Sequence, residues 1–464
     1  MTITEKLINY VMSMGYDRIP EKAVDGMKRL VMNSIAAMLA GTFASGVREL
    51  TQLIRTWGGT PESTVFLNDL KVPAHEAVLV NATMIRALDF DDFHMQTGMH
   101  SGAIVLPVAL AAAELAGDTD GKALIAAMIL GAEIMCRMRL VPDRCIGVSG
   151  WTGEIYGAFG GAITAGKILG LSKEEMINAL GLAYSQASGN AQTIFEGTLS
   201  TRLQQGFAAR AGLLSAVMAR AGLTGPMGFL EGKAGLYPVY YRGLDYDINR
   251  LVGGLEEKYE FLNLATKPYP CCGFIMAPLE NVLDIMRQNE IADKDIEMVT
   301  VRVNEQMYNT VCSPPENKYR PQTPADAMFS LPYALSTAII TGDVLLEDFF
   351  VDAIREPNRL EFVNRIETKV DKDIDKESKD LNLPLALHEI DLRTKDGKCF
   401  SQKIYHAKGF PDKPMKMEDF SEKAKKCAPL AIKPFSEEKI KILRDMIQNL
   451  EKQGNVQQLT DLLY

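Results

Sequence analysis

The run Gly157-Ala-Phe-Gly-Gly-Ala-Ile-Thr-Ala-Gly166 decides what kind of fold this chain adopts. A glycine run can cradle a dinucleotide, but that needs a strand before it, and no strand pattern precedes this one. The reading that remains is a helix whose small side chains let neighbouring helices come close. Its surroundings agree. Residues 21–39 place Ala23, Met27, Leu30, Val31, Ile35, Met38 and Leu39 at helical spacing, and Gly41 stops them. Similar patterns cover 75–88, 105–116, 121–139, 173–188 and 206–222, many of them rich in Ala and Gly. The sequence therefore predicts an all-helical domain from residue 1 to about 262, with several helices buried on most sides.

Near Pro268 the period changes. Ile296–Val303 alternates through Val299, Val301 and Val303, as does Ile366–Val370. Two further alternating runs, 388–393 and 399–405, flank Lys395-Asp396-Gly397-Lys398, and Asp-Gly between such runs signals a hairpin. Helical patterns at 277–289, 325–341 and 346–355 make residues 263–410 an α+β domain. After Pro411 helices return at 416–427 and 435–453. The expected architecture is mainly α: a large helical domain, 1–262 completed by 411–464, with a smaller α+β lid inserted at 263–410. Sites commonly form in the cleft between two such domains.

Bulk properties narrow the function. The chain has 464 residues, too many for one ordinary core, so two domains are expected. A formal charge of -9 argues against nucleic acid or an anionic membrane as the main partner, while leaving room for a small anion in a locally basic pocket. The N-terminus has Glu5 and Lys6 inside its apolar pattern and reads as a first helix, not as a signal peptide. The most apolar stretches, 103–115 and 123–136, are broken by Pro107, Glu114 and Glu133, so no membrane span is expected. Seven cysteines lie scattered apart from Cys271-Cys272, with no metal-like spacing; buried thiols in the cytoplasm fit best.

The chemistry concentrates in Ala87-Leu-Asp89-Phe-Asp91-Asp92-Phe-His94-Met-Gln-Thr-Gly-Met-His100. Two of the chain's five histidines and three carboxylates share this segment. If the preceding helix continues, Asp89 and Asp92 share a face, and like charges that close raise one pKa. Such crowding concentrates at sites. The competing reading is structural: an aspartate capping the next helix, with His100-Ser101 as its polar entry. Metal binding lacks a further ligand pair. A second candidate, Lys267-Pro-Tyr-Pro-Cys-Cys272, holds a lysine on a proline-stiffened segment, or is a plain hinge. A third, Thr201-Arg202 at the head of a helix, suits a carboxylate or is an ordinary surface arginine. Tyr333, in Phe329-Ser-Leu-Pro-Tyr333, is catalytic or simply core. Acids and histidines move protons, and lysine and arginine hold carboxylates. Together they suit proton abstraction next to a carboxylate.

These segments, in order, resemble the MmgE/PrpD family, whose members include 2-methylcitrate dehydratase, cis-aconitate decarboxylase and iminodisuccinate epimerase. The resemblance is carried by Leu88-Asp-Phe-Asp-Asp92 with His94 and His100, Gly170-Leu-Ser, Arg202-Leu-Gln through Gly225-Pro226, the Lys267 and Tyr333 motifs, and Gly409-Phe-Pro. It implies a helical domain with an α+β lid, a homodimer, no cofactor, and a lyase or isomerase. By position it implies catalytic roles for Asp89, His100, Lys267 and Tyr333, with Asp92, His94, Arg202, Phe93, Trp151 and Met276 lining the substrate.

The chain also departs from the family pattern. Phe93 replaces a threonine, Trp151 and Met276 replace histidines, Gly273 replaces an arginine, and Thr201 replaces a lysine with Arg202 beside it. A tricarboxylate would be left with unpaired charges, so the expected substrate is smaller or more apolar, with one or two carboxylates, and is neither 2-methylcitrate nor cis-aconitate. The alternative is a family member that has lost its chemistry and serves as a ligand-binding or structural homodimer.

Overall fold

The computed structural model describes residues 1–142, 150–381, 383, 385 and 387–464. They form two compact units, Met1–Thr266 with Lys416–Tyr464, and Lys267–Met415.

In the first unit the helix Glu21–Gly41 opens amphipathic and ends fully enclosed: every residue from Leu30 to Thr42 is buried. The glycine run lies in the helix Glu154–Ile168, which is buried from Glu154 to Gly166. It packs against the helices Gly102–Ala116, Gly121–Leu140 and Ser200–Arg220. The closest approach shows why side chains are missing there. A Cβ on Gly212 would lie 2.6 Å from Gly161 Cα and 2.8 Å from the Ala158 carbonyl, so the two backbones touch directly. The glycines are a packing surface.

The helix Ala74–Arg86 stops at Arg86, and the chain turns through 87–91 into a short strand, Asp92–His94. Asp89 adopts φ 51°, outside any helix. The expected shared helical face of Asp89 and Asp92 therefore does not exist. The strand pairs antiparallel with Leu264–Thr266, Asp92 opposite Thr266 and His94 opposite Leu264. This ladder keeps residues 263–266 in the helical unit, so the boundary falls after Thr266 and not at 262. Likewise the return falls at Lys416, where the helix Met417–Cys427 packs on Glu21–Gly41.

The second unit is built on a four-stranded sheet in the order Ile366–Val370, Ile296–Val303, His388–Thr394, Cys399–Ile404; the first pair is parallel and the others antiparallel. Val299, Val301 and Val303 point inward, as the alternation requires. The Asp-Gly hairpin closes with Arg393 opposite Cys399 and Gly397 at φ 86°. The helix Gly273–Gln288 lies against the hairpin strands. Two expected helices differ. The 325–341 pattern splits into Pro324–Met328 and Leu331–Thr341, because the Ser330 side chain caps the second by accepting from the Tyr333 N–H. The 346–355 pattern is two single 3₁₀ turns. No helix among the described residues is long and apolar enough to cross a membrane.

Candidate active site

The acidic turn sorts its three aspartates into three tasks. Asp92 is fully buried, and its carboxylate accepts from the N–H groups of Ser101 (2.8 Å) and Gly102 (3.1 Å). It thus satisfies the N-terminus of the Gly102–Ala116 helix, and this capping is why that helix starts before 105. A Cβ on Gly102 would sit 2.5 Å from the Asp92 carboxylate, so only glycine admits this cap. Burial, and next the charge of Asp91, push the Asp92 pKa upward.

Asp91 is fully buried and meets His100: Oδ2 lies 3.0 Å from Nδ1. With Asp91 as a carboxylate, Nδ1 carries the proton and Nε2 is left as the basic nitrogen. The His100 side chain keeps 12% of its surface open to solvent. Asp89 takes the left-handed backbone that aspartate tolerates better than most residues, and its Oδ1 accepts from Arg86 Nη1 at 2.7 Å. The same Nη1 is 3.7 Å from Asp91 Oδ1. Burial works against the Arg86 charge, but Asp89 and Asp91, with Glu154 behind them, more than offset it, so the guanidinium holds its proton tightly.

Two further segments reach this cluster. Gly153 sits on Met99, where a Cβ would come 2.6 Å from the sulfur, which brings 151–154 against the approach to His100. Glu154 from that segment accepts from Gln205 Nε2 at 3.0 Å. Trp151 stacks on Tyr240 at 4.5 Å and 15°. Arg202 bonds the Ser45 carbonyl at 3.1 Å. Burial, then the nearby Arg86 charge, lower its pKa, and Asp89 pulls back. The helical unit thus gathers Arg86, Asp89, Asp91, His100, Glu154, Arg202 and Gln205.

The remaining expected residues are divided between the two units that hold them. His94 is completely buried, its Nδ1 accepting from the Gln96 N–H at 3.3 Å, and burial pushes its pKa down to about 4. It is a neutral, enclosed imidazole within the turn. Phe93 is buried opposite Ala265. Lys267, Met276 and Tyr333 belong to the second unit and are buried there. The Tyr333 hydroxyl donates to the Asp348 carbonyl at 2.6 Å inside that unit, with Arg359 behind it.

Arg86, Glu154 and Gln205 went unmarked in the sequence, and Asp91 was noticed only as one acid of three. Arg86 did leave a signal: an arginine closing an otherwise apolar helix, three residues before an aspartate. Among the described residues no group of three or more His, Cys, Asp or Glu side chains is placed to hold a metal ion.

Family comparison agrees with this architecture. The MmgE/PrpD N-terminal domain matches residues 5–249 and the MmgE/PrpD C-terminal domain matches 269–449. The chain belongs to the MmgE/PrpD family. Among curated relatives it is 25% identical to cis-aconitate decarboxylase of Aspergillus terreus, over 99% of this chain and 96% of that protein. It is 24% identical to the Homo sapiens cis-aconitate decarboxylase, over 100% and 94%. With the 2-methylcitrate dehydratase of Escherichia coli K12 it shares 23%, over 75% of each.

Proposed function

We propose that this chain is a lyase of the dehydratase or decarboxylase type, acting on a small acid with one or two carboxylates by moving a proton at the carbon beside a carboxylate. The observation that carries the reading is the Asp91–His100 pair at 3.0 Å with Arg86 bridging Asp89 and Asp91. Asp91 fixes the imidazole tautomer and orientation, and His100 Nε2 takes or returns the proton. Guanidinium groups beside it stabilise the charge that grows on the substrate carboxylate as the carbanion forms. Proton transfer and charge stabilisation are both supplied by side chains, so the reading includes no metal or organic cofactor. The lyase relatives favour loss of a group over epimerisation.

The substrate class follows from charge. Two guanidiniums, Arg86 and Arg202, face three carboxylates, Asp89, Asp91 and Glu154. That count is one positive charge short of neutral, so three substrate carboxylates would find no surplus of guanidinium charge here. Buried thiols at Cys136, Cys271, Cys272, Cys312 and Cys427 support a reducing, cytoplasmic setting, and we read the enzyme as a homodimer by family likeness.

The test is a panel of mono-, di- and tricarboxylic hydroxy acids and their unsaturated counterparts, cis-aconitate and 2-methylcitrate included, incubated with the purified full chain in D2O. Loss of water or CO2 from a mono- or dicarboxylate is expected, falling about 10²–10⁴-fold in His100→Gln. Deuterium incorporation without net loss would move the reading to an isomerase. Ordinary turnover of a tricarboxylate would sink the charge argument, and no exchange across the panel would sink the enzyme.

A further inference from the structure

The acidic turn holds itself poorly. Between Arg86 and Asp92 its own backbone bonds are long, Ala87 N to the Met84 carbonyl at 3.4 Å and Asp89 N to the Arg86 carbonyl at 3.3 Å, and Asp89 is in the left-handed region. A turn of this kind keeps one geometry only if something outside fixes it. The outside group is an ammonium from the far end of the sequence. Lys423, on the Met417–Cys427 helix, donates to the Phe90 carbonyl at 2.5 Å, the peptide oxygen between Asp89 and Asp91. It also donates to Asn33 Oδ1 at 2.8 Å, and its Nζ lies 3.7 Å from the centre of the Phe90 ring. The ammonium thus meets a carbonyl, an amide oxygen and an aromatic face.

Lys423 is 3% exposed. Burying an ammonium is costly, and docking the helix does not require it: Phe420, Ala424 and Cys427 on that helix already lie buried. An apolar residue at 423 would avoid that desolvation but leave the Phe90 carbonyl and Asn33 Oδ1 without this donor. What the ammonium adds is a fixed position for the peptide that carries both acids.

We propose that Lys423 is a positioning residue: it pins the Phe90 peptide so that Asp91 meets His100 and Asp89 meets Arg86. The proposal rests on the lyase reading for its effect on rate, but the pinning itself is measurable without a substrate. In Lys423→Met, kcat falls at least about ten-fold with KM within about three-fold, since a displaced catalytic pair slows chemistry more than binding. Lys423→Arg, which keeps charge and donors, recovers most of the rate. Hydrogen exchange followed by mass spectrometry on ligand-free protein shows faster exchange over 86–95 in Lys423→Met and none of this in the 121–140 helix. Equal loss in the Met and Arg variants, or unchanged exchange over 86–95 in folded Lys423→Met, overturns the proposal. If Lys423→Met does not fold, Asn33→Ala, which loosens the ammonium and keeps the charge, must show the same exchange change on a smaller scale, and its absence overturns the proposal equally. Should the wild type act on no acid in the panel, the lyase reading falls while the exchange measurement still decides the pinning.

Discussion

Arg137 and Arg86 both sit near the ends of buried helices in the same unit, and their donors are used in opposite ways. Arg137 gives Nε to Glu133 at 2.5 Å, and its two terminal nitrogens to the carbonyls of Gly253 (2.6 Å), Gly254 (3.1 Å) and Lys258 (2.6 Å). Glu133 in turn accepts from the Phe261 N–H at 3.0 Å. Both side chains are at most 2% exposed. Arg86 bonds Asp89, stands at ion-pair distance from Asp91, leaves its buried Nε without a partner among the described residues, and keeps 14% of its surface open. One guanidinium is saturated by backbone that cannot leave. The other is held by two carboxylates on a strained turn and has donor capacity to spare. A buried, saturated ion pair reads as framework; the spare donor capacity beside His100 is what the proposed site draws on.

Mutation should separate the two roles. Arg137→Met leaves Glu133 buried without its cation and should cost about 3–5 kcal/mol of unfolding free energy in denaturant titrations. Replacing both, as Glu133→Leu with Arg137→Met, should recover most of that loss, and failure to recover would mean that the bonds to the 253–258 carbonyls dominate.

His94 supplies the next largest effect, through pH. Its pKa lies near 4 in the fold against 6.5 when unfolded, so the unfolded state binds the extra proton. Stability from this group is present above pH 6.5 and is lost as pH falls from 6.5 toward 4, by about 1.4 kcal/mol per unit within the window. Asp92, shifted upward, gains in the same direction that His94 loses. The effect is therefore read as the difference between wild type and His94→Leu, whose acid limb should be flatter. Parallel limbs would contradict the assignment of His94 as neutral framework.

Arg86→Met should cost only about 1–2 kcal/mol of stability, because Asp89 is partly open to solvent and Asp91 keeps His100 as a partner. It should cost the catalysed reaction at least as much, as measured by kcat/KM on whichever acid the panel identifies. A stability loss equal to that of Arg137→Met would erase the contrast. Smallest is the cap: Asp92→Ala should lose about 1 kcal/mol, and Asp92→Asn less, since its amide oxygen can still accept from Ser101 and Gly102.

The fold was legible wherever period and turn chemistry act locally. Ile296–Val303 and Ile366–Val370 stand where their alternation put them, and Asp396-Gly397 makes the expected hairpin. The split at Ser330 was hidden because a single capping side chain overrides an apolar pattern. In the site, the segment Asp89–His100 stood out by composition. Composition could not say which acid does what, because that is set by a turn too short to show a period and by bonds to distant residues. Asp91 took the pairing with His100 once Asp92 was spent on the helix end. His94 and Tyr333 share residue types with catalytic groups, but His94 Nδ1 accepts from the Gln96 N–H and the Tyr333 hydroxyl donates to the Asp348 carbonyl, each within its own unit.

The bond from Lys423 to Phe90 spans 333 positions of sequence, and synthesis is directional. At ordinary rates of translation the acidic turn leaves the ribosome roughly 15 to 70 s before its lysine does. During that interval the whole Lys267–Met415 unit is made, while the helical unit lacks its last helices. The nascent chain therefore carries Asp91 and His100 long before it can hold them in register. On the Lys423 proposal, the acidic turn is held in register only after the Met417–Cys427 helix has been made.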